Sequence, residues 1–107
     1  MKRLTDTEIL EAVRQACREE SLVLASMMHL VDSDEGAVSI GGGLTPRIAY
    51  ILGRHPGTVR RRLNQMQKKG HLLRHGKRTM TYRWWPVGLW LESKTNQQTK
   101  EQAGKQN

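Results

Sequence analysis

The stretch TPRIAYILGRHPGTVRRRLNQMQKKG, residues 45 to 70, constrains the fold more than any other part of the chain because it is punctuated twice. Thr45 is expected as the N-cap of one helix, with Pro46 in the first turn where its missing N–H costs nothing, and Gly53 closes that helix. Pro56 opens a second helix and Gly70 stops it. In the first helix Ile48, Ala49, Ile51 and Leu52 make one broad apolar face; in the second Val59, Leu63 and Met66 fall at i, i+4, i+7 as a single inward stripe. Only two or three residues separate the helices, too few for a wandering loop, so the pair must cross sharply.

Between Gly53 and Gly70 lie six Lys or Arg residues and no acid. A helix held by its own surface chemistry interleaves signs at i,i+4 spacing, and this one does not. The pattern extends well beyond the helix. Residues 1 to 35 hold eight acids against four bases, whereas residues 36 to 91 hold eleven bases and no acid. A span of 56 residues without a carboxylate concentrates positive potential of the kind that draws a polyanion, and its eleven uncancelled bases exceed the formal charge of +8 of the whole chain.

The 107 residues suit one small domain. Cys17, the single cysteine, excludes a disulfide within one chain. No leader is evident, and the longest apolar run, LVLASMMHLV at 22 to 31, is interrupted by Ser and His and too short to span a bilayer. The expectation is a cytoplasmic protein with no membrane partner, nucleoid-associated when bound to its target.

Three segments are expected. Residues 1–43 form an N-terminal helical segment with a Gly-rich joint. Thr5 and Glu8 have capping-box spacing, and Ile9, Leu10, Val13, Ala16 and Cys17 recur at helical intervals. The apolar SLVLASMMHLV then reads as a second, more buried helix or a continuation of the first after a bend. DSDEGAVSIGGG, at 32 to 43, reads as an acidic loop, a short strand around Val38 to Ile40 and a flexible joint; no Gly-Lys-Ser/Thr follows, so it is not a phosphate loop. Residues 44–91 hold the two punctuated helices, a β-hairpin in HLLRHGKRTMTYRWW around a basic turn at His75 to Thr79, and a Trp-containing end. Period 2 puts Met80, Tyr82 and Trp84 on one face of the hairpin and Thr81, Arg83 and Trp85 on the other, and Pro86 ends the second arm. Residues 92–107 are a polar, Gln-rich tail without a large apolar residue, expected to be disordered.

Helix, tight turn, cationic helix and basic hairpin in that order resemble the winged helix-turn-helix family of prokaryotic DNA-binding domains. The positions that carry the resemblance are Ile48, Ala49, Leu52 and Gly53, then Thr58, Val59, Leu63 and Met66, then Gly70, Leu72, Leu73 and Tyr82, within residues 44 to 85. It implies a mostly α fold with a small β-hairpin wing, an α+β class, and a regulator of transcription that binds double-stranded DNA. Two positions depart from the family. Its turn usually places a small apolar residue after the glycine and Ser or Thr at the next N-cap, where this chain has Arg54 and His55. The cap is expected to be weaker by about 1 kcal/mol than a Ser would give, with both side chains turned to phosphate.

A helical wheel sets Gly57, Arg61, Asn64 and Lys68 roughly opposite the apolar stripe, with Thr58, Arg60 and Gln65 on the flanks. Arg pairs bidentately with guanine O6 and N7, and Asn or Gln with adenine N6 and N7, the vocabulary of major-groove readout. Gly57, Thr58, Arg60, Arg61, Asn64 and Gln65 are therefore the expected base-reading residues. Arg47, Arg54, His55, Arg62, Lys68 and Lys69 are expected on phosphate, and Lys77 and Arg78 in the wing turn on an adjacent groove or backbone. Neutralising about six to eight phosphates gives a slope of log K against log salt of roughly −5 to −7.

The plainer readings are these. An arginine triplet on a helix is by itself often a solvated face, and the turn, the wing and the missing acids are what lift it above that. His71 and His75, four apart in an expected strand, lack further ligands, so no metal is expected. No nucleophile sits in a recognisable setting and no nucleotide loop appears, so the chain is not expected to be an enzyme, to carry a cofactor or to bind a small-molecule effector. Trp85, Val87, Trp90 and Leu91 either pack back on the first helix or form a partner surface, the candidate being a homodimer through residues 5–31 and 85–91. The rival function is a protein–protein interaction module that keeps the winged fold and binds a nucleic-acid enzyme or polymerase without reading sequence. Nonspecific architectural or RNA binding is the third.

Overall fold

In the computed structural model the described residues are 3–20, 30–77 and 81–92. Thr5 caps the first helix, α1 (Asp6–Glu19): its hydroxyl accepts from the Glu8 amide at 3.1 Å and donates to the Glu8 carboxylate at 3.3 Å. Ile9, Ala12, Val13, Ala16 and Cys17 form the buried face of α1, so the helical spacing of its apolar residues is reproduced, with Ala12 added and Leu10 only partly buried. Most of the apolar run at 21–31 lies outside the described residues.

The segment after it departs from expectation. Instead of a loop and a strand at Val38 to Ile40, residues Asp34–Gly41 form a helix, α2. The Ser33 hydroxyl accepts from the Gly36 amide at 3.3 Å, and Asp34 and Glu35 place negative charge where the first-turn amides point. Ala37 and Val38 are buried, which two apolar residues on a short strand would not have indicated.

The strand comes later and is shorter: β1 (Gly43–Leu44). The triple glycine is tightly packed, not the expected flexible joint. A Cβ on Gly43 would stand 2.6 Å from Ala16 Cβ, and one on Gly42 would stand 2.7 Å from the Val38 carbonyl oxygen. These glycines are required by close approach between β1, α1 and α2.

The next helix, α3 (Thr45–Leu52), has Leu44 as its N-cap and no side-chain cap. Thr45, expected as that cap, is the first helical residue and is buried at 6% exposure. Its hydroxyl accepts from Trp84 Nε1 at 2.8 Å and donates to the Tyr82 carbonyl at 3.3 Å. A buried indole N–H needs an acceptor, and Thr45 supplies it. Gly53, at φ 65°, ends α3 in the left-handed conformation and is followed by α4 (Pro56–Lys68). Val59, Leu63 and Met66 face the core from α4, the stripe read from the sequence.

Strands β2 (Leu72–His75) and β3 (Arg83–Pro86) pair antiparallel, Leu72 opposite Pro86 and His75 opposite Arg83. On its other edge β3 pairs with β1, Gly43 opposite Trp84 and Leu44 opposite Arg83, so the sheet order is β1-β3-β2. The chain is thus mostly helical with a small three-stranded antiparallel sheet, an α+β fold.

β3 is the central strand, flanked on both edges, and the helices α1 and α2 cover its two faces. Trp84 is 0% exposed and Trp85 1%, although successive residues on a strand point to opposite sides. The Trp84 carbonyl accepts from Cys17 Sγ of α1 at 3.4 Å, and Trp85 Nε1 donates to Asp34 Oδ1 of α2 at 3.1 Å. Asp34 also accepts from the Gly88 and Trp90 amides at 2.7 and 3.1 Å, which fastens the segment after β3 to the start of α2.

Candidate nucleic-acid interface

Burial of Val59, Leu63 and Met66 turns the opposite side of α4 to solvent. Thr58, Arg60, Arg61, Gln65 and Lys68 are exposed there, and Gly57 and Asn64 are half-buried at its margins. Among the described residues none forms an ion pair with Arg60, Arg61 or Lys68. The face therefore offers guanidinium, ammonium, amide and hydroxyl donors with no carboxylate on the same helix.

The start of this helix is better formed than its sequence promised. His55 Nδ1 accepts from the Gly57 amide at 3.0 Å, so the side chain expected on phosphate is the N-cap itself. An imidazole nitrogen can accept in this way when it carries no proton. Gly57 suits the arrangement, since a Cβ there would lie 3.2 Å from His55 Nδ1.

Three of the cations expected on phosphate are committed to α1. Arg62 has a side chain only 19% exposed; it donates to the Leu4 carbonyl at 2.9 Å and to Asp6 Oδ1 at 2.8 Å. Lys69 lies 3.6 Å from Asp6 Oδ2. The hydrogen bond from Arg62, with the charges of Lys69 and Arg62 adding to it, holds the Asp6 carboxyl below its ordinary range. Arg47 grips Glu19 through Nε and Nη2, the latter at 2.8 Å, and its guanidinium stands 5.0 Å from the centre of the Tyr50 ring. That bidentate contact lowers the Glu19 carboxyl and raises Arg47. Among the described residues, the acid-rich first third of the sequence thus neutralises the flanks of the basic region and leaves its centre uncompensated.

Arg54, in the turn between α3 and α4, lines a shallow groove with Glu8, Glu11 and Ile51. Lys77 is exposed at the end of the described part of the hairpin turn, and Arg78 lies outside the described residues. Gly76 adopts φ 125° in this turn, a conformation few other residues tolerate.

Sequence reasoning missed Arg74. It is exposed on β2, donates through Nη1 to Asn64 Oδ1 at 2.7 Å, and stacks 4.5 Å from the centre of the Tyr82 ring. The signal available was the short turn at Gly70, which brings β2 back beside α4; reading the hairpin only for its tip passed over it. Arg83, the other strand arginine, donates to the Gly42 carbonyl at 3.2 Å and serves the sheet.

Among the described residues no three His, Cys, Asp or Glu side chains group as metal ligands, and no helix is long and apolar enough to cross a membrane. No known family matches the chain, and no curated protein or solved structure is significantly similar to it.

Proposed function

We propose that the chain is a winged helix-turn-helix protein that binds double-stranded DNA and regulates transcription by reading the major groove with α4. The observation that carries this reading is the exposed face of α4, where Arg60, Arg61 and Lys68 have no counter-charge among the described residues while neighbouring cations are paired. Uncompensated donors on a helix held rigidly from behind suit base edges and phosphates. From α2 onward the order is helix, strand, helix, helix, strand, strand, with β1 returning to pair with β3, which supports the winged reading, with the β2–β3 connection as wing.

The rival reading, a protein-binding module, relied in part on Trp85. That side chain is buried against α2 and bonded to Asp34, which removes it from any accessible surface. Selection from a random pool of duplex DNA at roughly physiological salt tests the proposal. One recovered motif, blurred by Arg61→Ala, supports it; absence of a motif, with salt-resistant binding to protein instead, overturns it.

A further inference from the structure

Asn64 and Arg74 meet across the junction of α4 and β2, with Arg74 Nη1 donating to Asn64 Oδ1 at 2.7 Å. A guanidinium carries donors only, so the amide atom it meets must be the oxygen, and the Asn64 amide is oriented by its partner. Arg74 is itself held from behind. Its Cζ lies 4.5 Å from the centre of the Tyr82 ring, and Tyr82 packs edge-on against Trp84 with ring centres 6.0 Å apart. Trp84 is fully buried, so a continuous set of contacts runs from the core to the solvent side of α4.

An asparagine reads adenine with both amide atoms: the oxygen accepts from N6 and the nitrogen donates to N7. Here one lone pair of the oxygen is engaged, and the positive charge beside it repels the amino hydrogens of an N6 approaching the other. What remains for a base is the Asn64 nitrogen together with the unused N–H groups of Arg74, all of them donors. The guanine edge presents two adjacent acceptors, N7 and O6.

Resting on the DNA reading above, we infer that Asn64 and Arg74 form one donor-only unit that selects guanine, with Arg74 both offering its own donors and turning Asn64 away from adenine. The pair works as a specificity element that neither residue supplies alone.

The experiment is duplex selection with the wild-type chain, Asn64→Ala, Arg74→Met and Tyr82→Leu. Asn64→Ala locates the motif position read by this residue, and the wild type shows guanine there. Arg74→Met, which keeps an unbranched stem and removes donors and charge, converts that position to adenine with a preference on the order of tenfold and leaves the other positions unchanged. Tyr82→Leu, which releases the guanidinium, moves the same position in the same direction and covers the case in which Arg74→Met does not fold. An arginine that only braces the hairpin or touches phosphate weakens binding to all sequences and leaves guanine in place, which overturns the inference. A wild-type motif with adenine at the Asn64 position overturns it while sparing the DNA reading; no motif at all overturns both.

Discussion

Arg62 Nη2 lies 2.8 Å from Asp6 Oδ1, and the same guanidinium reaches the Leu4 carbonyl, so the last of the three arginines of the basic helix is a fastener between α4 and the start of α1. Its neighbours Arg60 and Arg61 are exposed. One arginine run therefore serves two ends, and the helical rotation of 100° per residue separates them.

Substitution separates these roles. Arg62→Ala leaves the Leu4 carbonyl without its donor and is expected to cost about 1 kcal/mol from that group alone, a fall of roughly 4–8 °C in melting temperature. Arg61→Ala is expected to leave the melt within about 0.5 kcal/mol of wild type while weakening DNA binding. Paired thermal melts and binding isotherms read both, and equal melts for the two variants would contradict the fastening role.

The two carboxylates that bind α1 to the basic region set an acid dependence. Asp6 and Glu19 are held below their ordinary values of 3.8 and 4.5, chiefly by hydrogen bonds from Arg62 and Arg47. The unfolded chain therefore takes up protons first as pH falls. The stability from these pairs is present above about pH 4.5 and is lost as pH drops through the lower folded values. Melts between pH 6 and 3 should show that loss, and the double variant Asp6→Asn, Glu19→Gln should flatten it. An unchanged acid slope in the double variant would assign the loss to other groups.

Gly43 tests the packing of the glycine run. Its Cα approaches α1 so closely that a Cβ would lie 2.6 Å from Ala16 Cβ. Gly43→Ala is expected to destabilise by about 1–3 kcal/mol. Adding Ala16→Gly removes the clashing methyl, so the double variant should be more stable than Gly43→Ala alone despite a helix-propensity cost of about 1 kcal/mol. Simple additivity of the two losses, measured by denaturant unfolding, would show that the contact is not the cause.

What the sequence disclosed and what it hid follow one division. Capping at Thr5, the inward stripe of Val59, Leu63 and Met66, and the glycine stop at Gly53 are local, so chain order carries them. Thr45 was misplaced by one position because its hydroxyl serves Trp84, 39 residues away. Residues 34–41 were misread because their few apolar groups gain meaning only against Trp85 and the segment that Asp34 holds. In the candidate site, the exposed residues of α4 were legible from periodicity, whereas the pairing of Arg47, Arg62 and Lys69 and the contact of Arg74 with Asn64 depend on tertiary approach. Charge counting by segment located the basic region but could not tell which cations were already answered.

That distinction sets the salt dependence expected of the proposed DNA binding. With Arg47, Arg62 and Lys69 on carboxylates and His55 capping α4, about three to five cations remain for phosphate, so the slope of log K against log salt should be roughly −3 to −5, shallower than a count of all basic residues gives. Lys68→Ala should reduce the slope by about 0.9, the share of one phosphate contact. A folded Arg62→Lys variant should leave it unchanged, because that position faces Asp6 and Leu4 and not the duplex. Titration of a fluorescent duplex between about 50 and 200 mM salt measures all three. A slope of about −6 or steeper in the wild type would mean that the α1 ion pairs open on binding and release their arginines to phosphate, in which case Glu19→Gln should tighten binding at low salt.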